Sequence, residues 1–181
     1  MLARSEDSLL VVIDMQTTFL APIWQRERAV SRAKFMVECA NLLDIPILVT
    51  EQVPDKMGGT DSELTPLLGG VKPIAKETFS CWSEAQFRRA INHHKRAQAV
   101  IVGIETHICV NQTAHDLMDE DIDVILCTDA VSARSQEMHD MALRRMADEG
   151  AALAHTESVV YEWMQTAGHD RFRDVLKLVK G

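Results

Sequence analysis

Apolar residues in this chain come in two rhythms that alternate along its length. Residues 8–14, Ser-Leu-Leu-Val-Val-Ile-Asp, form an unbroken apolar run closed by a carboxylate. Such a run marks a strand covered on both faces, as strands of parallel sheets are. Similar runs predict strands at 45–50, 73–76, 97–103, 123–128 and 151–155. Between them the spacing turns helical. Over 27–43, Val30, Phe35, Cys39 and Leu42 fall near one face. Further helices are predicted at 83–93, with Ser83 as cap and Glu84 in the first turn, and at 107–121. The helix at 136–149 stops at Gly150, and two more cover 157–164 and 170–179. Pro54, Gly58 and Gly59 make 52–59 a loop, a short helix fits 62–68, and 129–135 reads as another loop.

Strands alternating with helices imply right-handed crossovers. The expected fold is a doubly wound α/β domain: three layers, α/β/α, around a six-stranded, mostly parallel sheet. At 181 residues and 46% hydrophobic content, the chain suits one well-buried core, so residues 1–181 are expected to form a single domain. Nineteen basic against 27 acidic residues give a net charge of −8. With no basic stripe, nucleic acid and anionic membranes are not expected partners. The polar first residues and the lack of a long apolar run speak against a signal peptide or a membrane span, and cytoplasmic residence is expected. Cys39, Cys81, Cys109 and Cys127 are widely spaced without a Cys-x-x-Cys pair, which suits reduced thiols. No Gly-x-Gly-x-x-Gly follows the first strand, so the Rossmann-like pattern carries no dinucleotide fingerprint and no cofactor is expected.

In open α/β sheets the reactive crevice lies beyond the carboxyl ends of the strands. Asp14 closes the first strand, Lys76 closes the third, and Cys109 follows the fourth at a helix start, through Gly103-Ile104-Glu105-Thr106-His107-Ile108. A thiol there is expected to be acidified by unpaired helix N–H groups. The three side chains make coherent chemistry. Asp14 can accept the thiol proton, Lys76 can hold that carboxylate and favour the thiolate, and Cys109 can attack a carbonyl carbon. Backbone N–H groups around Glu105 and Cys109 could hold the oxyanion.

Several neighbours carry two readings each. Gln16 is a polar substrate contact or a structural amide, and His107, two residues from Cys109, can edge the pocket but not pair with the thiol. Phe19 and Trp82, with Trp24, form either an apolar wall for substrate or ordinary core. Paired His93 and His94 complement a helix end, and the nine methionines fill core and subunit contacts.

These residues together resemble the isochorismatase-like cysteine hydrolases, a family that includes nicotinamidases and carbamoylsarcosine amidohydrolases. Asp14-Met15-Gln16 with Phe19, Lys76 with Thr78-Phe79-Ser80, the Gly103–Val110 stretch, the run from Thr128 to Arg134, and Gly150 carry the resemblance. It implies an isochorismatase-type hydrolase fold with an Asp14, Lys76, Cys109 triad. It also implies a cis peptide between Ile104 and Glu105 that turns N–H groups toward the oxyanion, and a homo-oligomer, dimer or larger. Departures narrow the substrate. Nicotinamidases place metal-binding histidines after the second strand, where this chain has Thr50-Glu51-Gln52-Val53-Pro54 and no histidine, so no metal site is expected there. Isochorismatase itself lacks the nucleophilic cysteine kept here. The segment 50–64 looks most like the isochorismatase-domain-containing branch, whose substrate is unassigned. The expected activity is metal-independent cleavage of a carbon–nitrogen bond in a small amide or related acyl compound through a thioester on Cys109. A catalytically silent oligomeric scaffold and a thiol redox switch between Cys81 and Cys109 are the competing readings.

Overall fold

The computed structural model describes residues 1–180. Six strands, β1 (Ser8–Ile13), β2 (Ile47–Gln52), β3 (Ile74–Lys76), β4 (Gln98–Ile104), β5 (Asp123–Ser132) and β6 (Ala152–Ala154), form one sheet in the order β3-β2-β1-β4-β5-β6. Every pairing is parallel. The helices are α1 (Thr17–Leu20), α2 (Arg26–Leu42), α3 (Pro54–Met57), α4 (Ala85–His94), α5 (Asn111–Asp119), α6 (Gln136–Asp148), α7 (Thr156–Met164) and α8 (Phe172–Lys180).

The apolar runs supply both faces because successive side chains of a strand point opposite ways. Leu10, Val12, Val49, Val100 and Val102 pack with α2, α7 and α8. Leu9, Val11, Ile13, Leu48 and Ile101 pack instead with Phe87 and Ile91 of α4, Leu117 of α5 and Met146 of α6. Two cores on opposite sides of one sheet make the three layers expected from the pattern. None of the described helices is long and apolar enough to cross a membrane.

Where the structure departs from the sequence-based elements, a local reason is visible. α1 and α3 are four residues each, too short to show a helical period, and α3 opens on Pro54 at its first turn inside the expected loop. The expected helix at 62–68 is a 3₁₀ turn at Thr65–Leu67. β5 continues through the expected loop to Ser132, because Val131 and Ser132 pair with Gly103 and Ile104 beyond a register shift. The expected helix at 107–121 is a π-turn, Thr106–Val110, running into α5. The expected cap Ser83 lies outside α4, whose N-cap is Glu84 with no side-chain cap bond, whereas Ser135 caps α6, accepting from the Met138 N–H at 3.3 Å.

The sheet order reverses between β1 and β4, so the carboxyl ends of these two strands flank the crevice where such sheets place their ligands. Gly103 makes their approach close. A Cβ there would stand 2.2 Å from the Ile13 carbonyl oxygen, and the residue has φ +126°. Only glycine meets both demands.

Candidate active site

Asp14 leaves β1 in the left-handed region, at φ +50°. Both of its carboxylate oxygens are engaged. Thr50 Oγ1 donates to Oδ1 at 2.8 Å, and Lys76 Nζ donates to Oδ2 at 2.6 Å. The lysine side chain is fully buried. It also donates to Gln52 Oε1 at 2.7 Å and to the Thr78 and Phe79 carbonyls at 3.1 Å each. Burial opposes the charge of Lys76, but Asp14 and the thiols of Cys81 and Cys109 more than offset it, and its pKa is raised. The ammonium is thereby fixed as a cation, fully solvated by protein.

Cys109 arrives through the π-turn. The Ile108 and Val110 N–H groups both donate to the Glu105 carbonyl, at 3.0 and 3.3 Å. A turn of this width is a frequent device at functional positions. Its start is tied down twice: Thr106 Oγ1 meets His139 Nδ1 of α6 at 3.0 Å, and Arg134 Nε donates to Glu105 Oε2 at 2.9 Å. The Ile104–Glu105 peptide bond is cis.

Asp14, Ile104, Glu105 and Cys109 line one small cavity of about 80 Å³, walled by Phe19, Phe79 and Ile108 and floored by Gln52. Sequence reasoning did not place Gln52, Phe79 or Ile108 there. Gln52 was within reach of the pattern, since Thr50 and Gln52 lie two apart on β2 and share a face, and Gln52 pairs in register with Lys76.

Three other sequence-derived candidates stand elsewhere. Gln16 is fully buried. Its amide nitrogen donates to the Gln52 and Gly58 carbonyls at 3.1 and 2.6 Å, and its oxygen accepts from the Gln52 N–H at 2.7 Å. It fastens the segment after β2 and lines no part of the cavity. Trp82 packs on the α4 side of the core, because the Cys81 N–H bonds Thr113 Oγ1 at 2.9 Å and draws the chain toward α5. His107, on the far side of the turn from Cys109, borders a separate groove with Asn111 and Met141.

The state of the thiol also differs from expectation. Burial first, and the Asp14 carboxylate second, push the Cys109 thiol far up, against the opposing pull of Lys76. The resting sulfur is a protonated thiol facing a base. The site is a nucleophile awaiting deprotonation, the arrangement of a thiol activated by an adjacent base. Cys81 lies completely buried behind it, pushed up to about 11 by burial and by Asp14, with its Sγ 3.6 Å from Thr50 Oγ1. All four cysteines are free thiols. Among the described residues, no three His, Cys, Asp or Glu side chains are placed to share a metal ion.

Comparison with known proteins gives the family and the fold. Residues 8–158 match the family model described as the isochorismatase domain. Mouse isochorismatase domain-containing protein 2A is 37% identical over 176 residues, which cover 97% of this chain and 84% of that one. The solved structure of a MAR1 ribonuclease from Caenorhabditis elegans superposes with a TM-score of 0.94 at 29% identity, over 100% of this chain and 93% of that one. The Escherichia coli YcaC gene product, an octameric hydrolase of unknown specificity, shares the fold with a TM-score of 0.88 at 20% identity, over 98% and 94% of the two chains.

Proposed function

Since the chain belongs to the isochorismatase family and is a hydrolase by that membership, we propose that it cleaves the carbon–nitrogen bond of a small amide through a thioester on Cys109. One observation carries the reading: a thiol and a carboxylate share one small cavity, and a buried lysine bonds that carboxylate from behind. Asp14 takes the thiol proton as Cys109 Sγ attacks the carbonyl carbon. N–H groups of the turn between Ile104 and Cys109 hold the oxyanion. Asp14 then passes its proton to the departing nitrogen, the carbon–nitrogen bond breaks, and the acyl group stays on sulfur. Water, deprotonated by Asp14, hydrolyses the thioester and returns the thiol. Lys76 bonds and orients the Asp14 carboxylate between these transfers, and no step calls on a metal.

Other features bear on the setting. Met138 and Met141 on α6 and Leu153 of β6 are exposed, which supports a homo-oligomer. A nucleophile of this kind has to stay reduced, which supports a cytoplasmic location. The name of the C. elegans neighbour raises RNA as a substrate, but a chain of net charge −8 with a cavity of about 80 Å³ offers a poor seat for a polyanion.

The test is a screen of small amides and carbamoyl compounds for ammonia release, with Cys109→Ala as control. Wild type is expected to release ammonia and form an acyl adduct at Cys109, and the variant to do neither. A wild type that alkylates normally at Cys109 yet releases ammonia from no amide overturns the proposal.

A further inference from the structure

We propose that the acyl group accepted at this site is short and uncharged, and that Glu105 and Arg134 at the mouth act as a paired gate against carboxylates. The inference rests on the hydrolase reading for its substrate, but its physical basis is the charge arrangement of the cavity.

Every charge around the cavity is already partnered. Asp14 is held by Lys76 and Thr50, and the lysine has four acceptors for its three protons. Glu105, which lines the cavity, is neutralised by Arg134, and the arginine reaches the Glu105 carboxylate at 2.9 Å. Gln52 spends its oxygen on Lys76 and its nitrogen on the Glu77 carbonyl at 2.7 Å. Two anions and two cations sum to zero; the buried lysine has no vacant donor, and the half-exposed arginine, outside the cavity lining, also approaches His107 Nε2 at 3.4 Å. The remaining walls, Phe19, Phe79, Ile104 and Ile108, are apolar.

A carboxylate entering this space would lose its water and meet no cation on the cavity wall, since Lys76 is saturated behind Asp14 and Arg134 stands outside the lining, which is costly in a poorly hydrated site. An uncharged chain would meet apolar surface. At roughly 30 Å³ for a water-sized group, a cavity of about 80 Å³ holds two or three such groups, the carbonyl among them. Any longer substituent must project past Glu105 and Arg134. Those two residues therefore decide which charge is tolerated at the entrance. Removing the acid frees the arginine to receive an anion, and removing the arginine exposes the acid to repel one.

The probes are iodoacetamide and iodoacetate, which deliver the same reacting carbon without and with a carboxylate, respectively. Rates of Cys109 alkylation are measured at one pH and divided by the same pair of rates on glutathione. The expected normalised preference for iodoacetamide is tenfold or more. Glu105→Gln is expected to lower it at least threefold, and Arg134→Met to raise it. A normalised preference near one in the wild type, or one unmoved by both substitutions in folded protein, overturns the gate. A parallel arm compares ammonia release from propionamide and from succinamate, with propionamide expected to be faster. Faster release from succinamate overturns the charge selection. No release from any amide, with the alkylation preference intact, overturns the hydrolase reading and leaves the gate standing.

Discussion

Two buried aspartates at the carboxyl edge of the same sheet have opposite careers. Asp129, in β5, gives Oδ1 to the Thr156 N–H at 2.9 Å and Oδ2 to the Thr156 hydroxyl at 2.8 Å, at the first residue of α7. Arg32 and His155 stand 3.6 Å away as loose counter-ions. Its two oxygens serve the backbone N–H and the hydroxyl of one helix-starting residue, and its work is to join a strand to a helix. The Asp14 carboxylate is bonded only to side chains, Thr50 and Lys76, and its remaining aspect meets a cavity and a thiol. Burial alone does not distinguish the two. What distinguishes them is whether the partners are fixed parts of the fold or groups that can gain and lose a proton.

The largest effect should come from converting Asp14 into a residue that keeps the shape and loses the base. Asp14→Asn is expected to lower amide turnover by about 10²–10⁴-fold, the usual span for general acid–base loss. Alkylation should respond in the opposite sense. The thiol pKa is raised by burial and then by the Asp14 charge, while Lys76 lowers it, so removing the carboxylate leaves burial opposed by a lysine alone. The rising limb of the alkylation profile should move to lower pH. An enzyme that loses turnover while its thiol becomes easier to ionise needs Asp14 as a proton carrier. A limb that stays in place would return Asp14 to the structural class of Asp129.

Much of this contrast was legible in the amino-acid pattern, and the unread parts have physical causes. Runs such as Leu9–Ile13 declare interior parallel strands because both faces demand apolar residues, and the strands in turn place Asp14, Lys76 and Cys109 at one edge. The role of Asp129 was hidden because its partner, Thr156, is 27 residues away, and an acid beside Thr128 and Ala130 reads as a turn. The π-turn left no periodic trace within five residues. The state of Cys109 was misjudged for a related reason: proximity to a helix start is visible in sequence, whereas the burial and the facing carboxylate that outweigh it belong to the tertiary structure. Gln16 and Trp82 matched a pocket by residue type, but backbone hydrogen bonds drew them elsewhere.

Lys76→Met sharpens the comparison from the other side. It leaves Asp14 as a buried charge without its cation, a change that typically costs about 3–5 kcal/mol. The raised lysine pKa means that the stabilisation is present in full below the ordinary lysine value, and is lost only as pH rises through the higher folded value. The deficit measured by denaturant should therefore be flat from neutrality to about pH 9 and shrink in strong alkali. The alkylation limb should move to higher pH, opposite to Asp14→Asn. A double substitution, Asp14→Asn with Lys76→Met, should recover part of the stability, because no unpaired charge remains.

Asp129→Ala is the smallest of the three and serves as the reference for the fold. It strips the Thr156 N–H and hydroxyl of their acceptors where Thr156 is fully buried. Leaving such donors unmet costs about 2 kcal/mol. The loss should appear in unfolding and not in chemistry: the midpoint of denaturation falls, while the alkylation profile of Cys109 and the normalised preference for iodoacetamide stay where they are. The reason is the division of labour in the sheet, since Asp129 braces β5 against α7 and the thiol depends on β1, β2, β3 and the turn after β4. A shift of the alkylation limb in Asp129→Ala, with the protein still folded, would mean that the two carboxylates are coupled through β5, which pairs with β4 at Gly103 and Ile104. The distinction between a carboxylate for folding and one for chemistry would then no longer hold at this sheet edge.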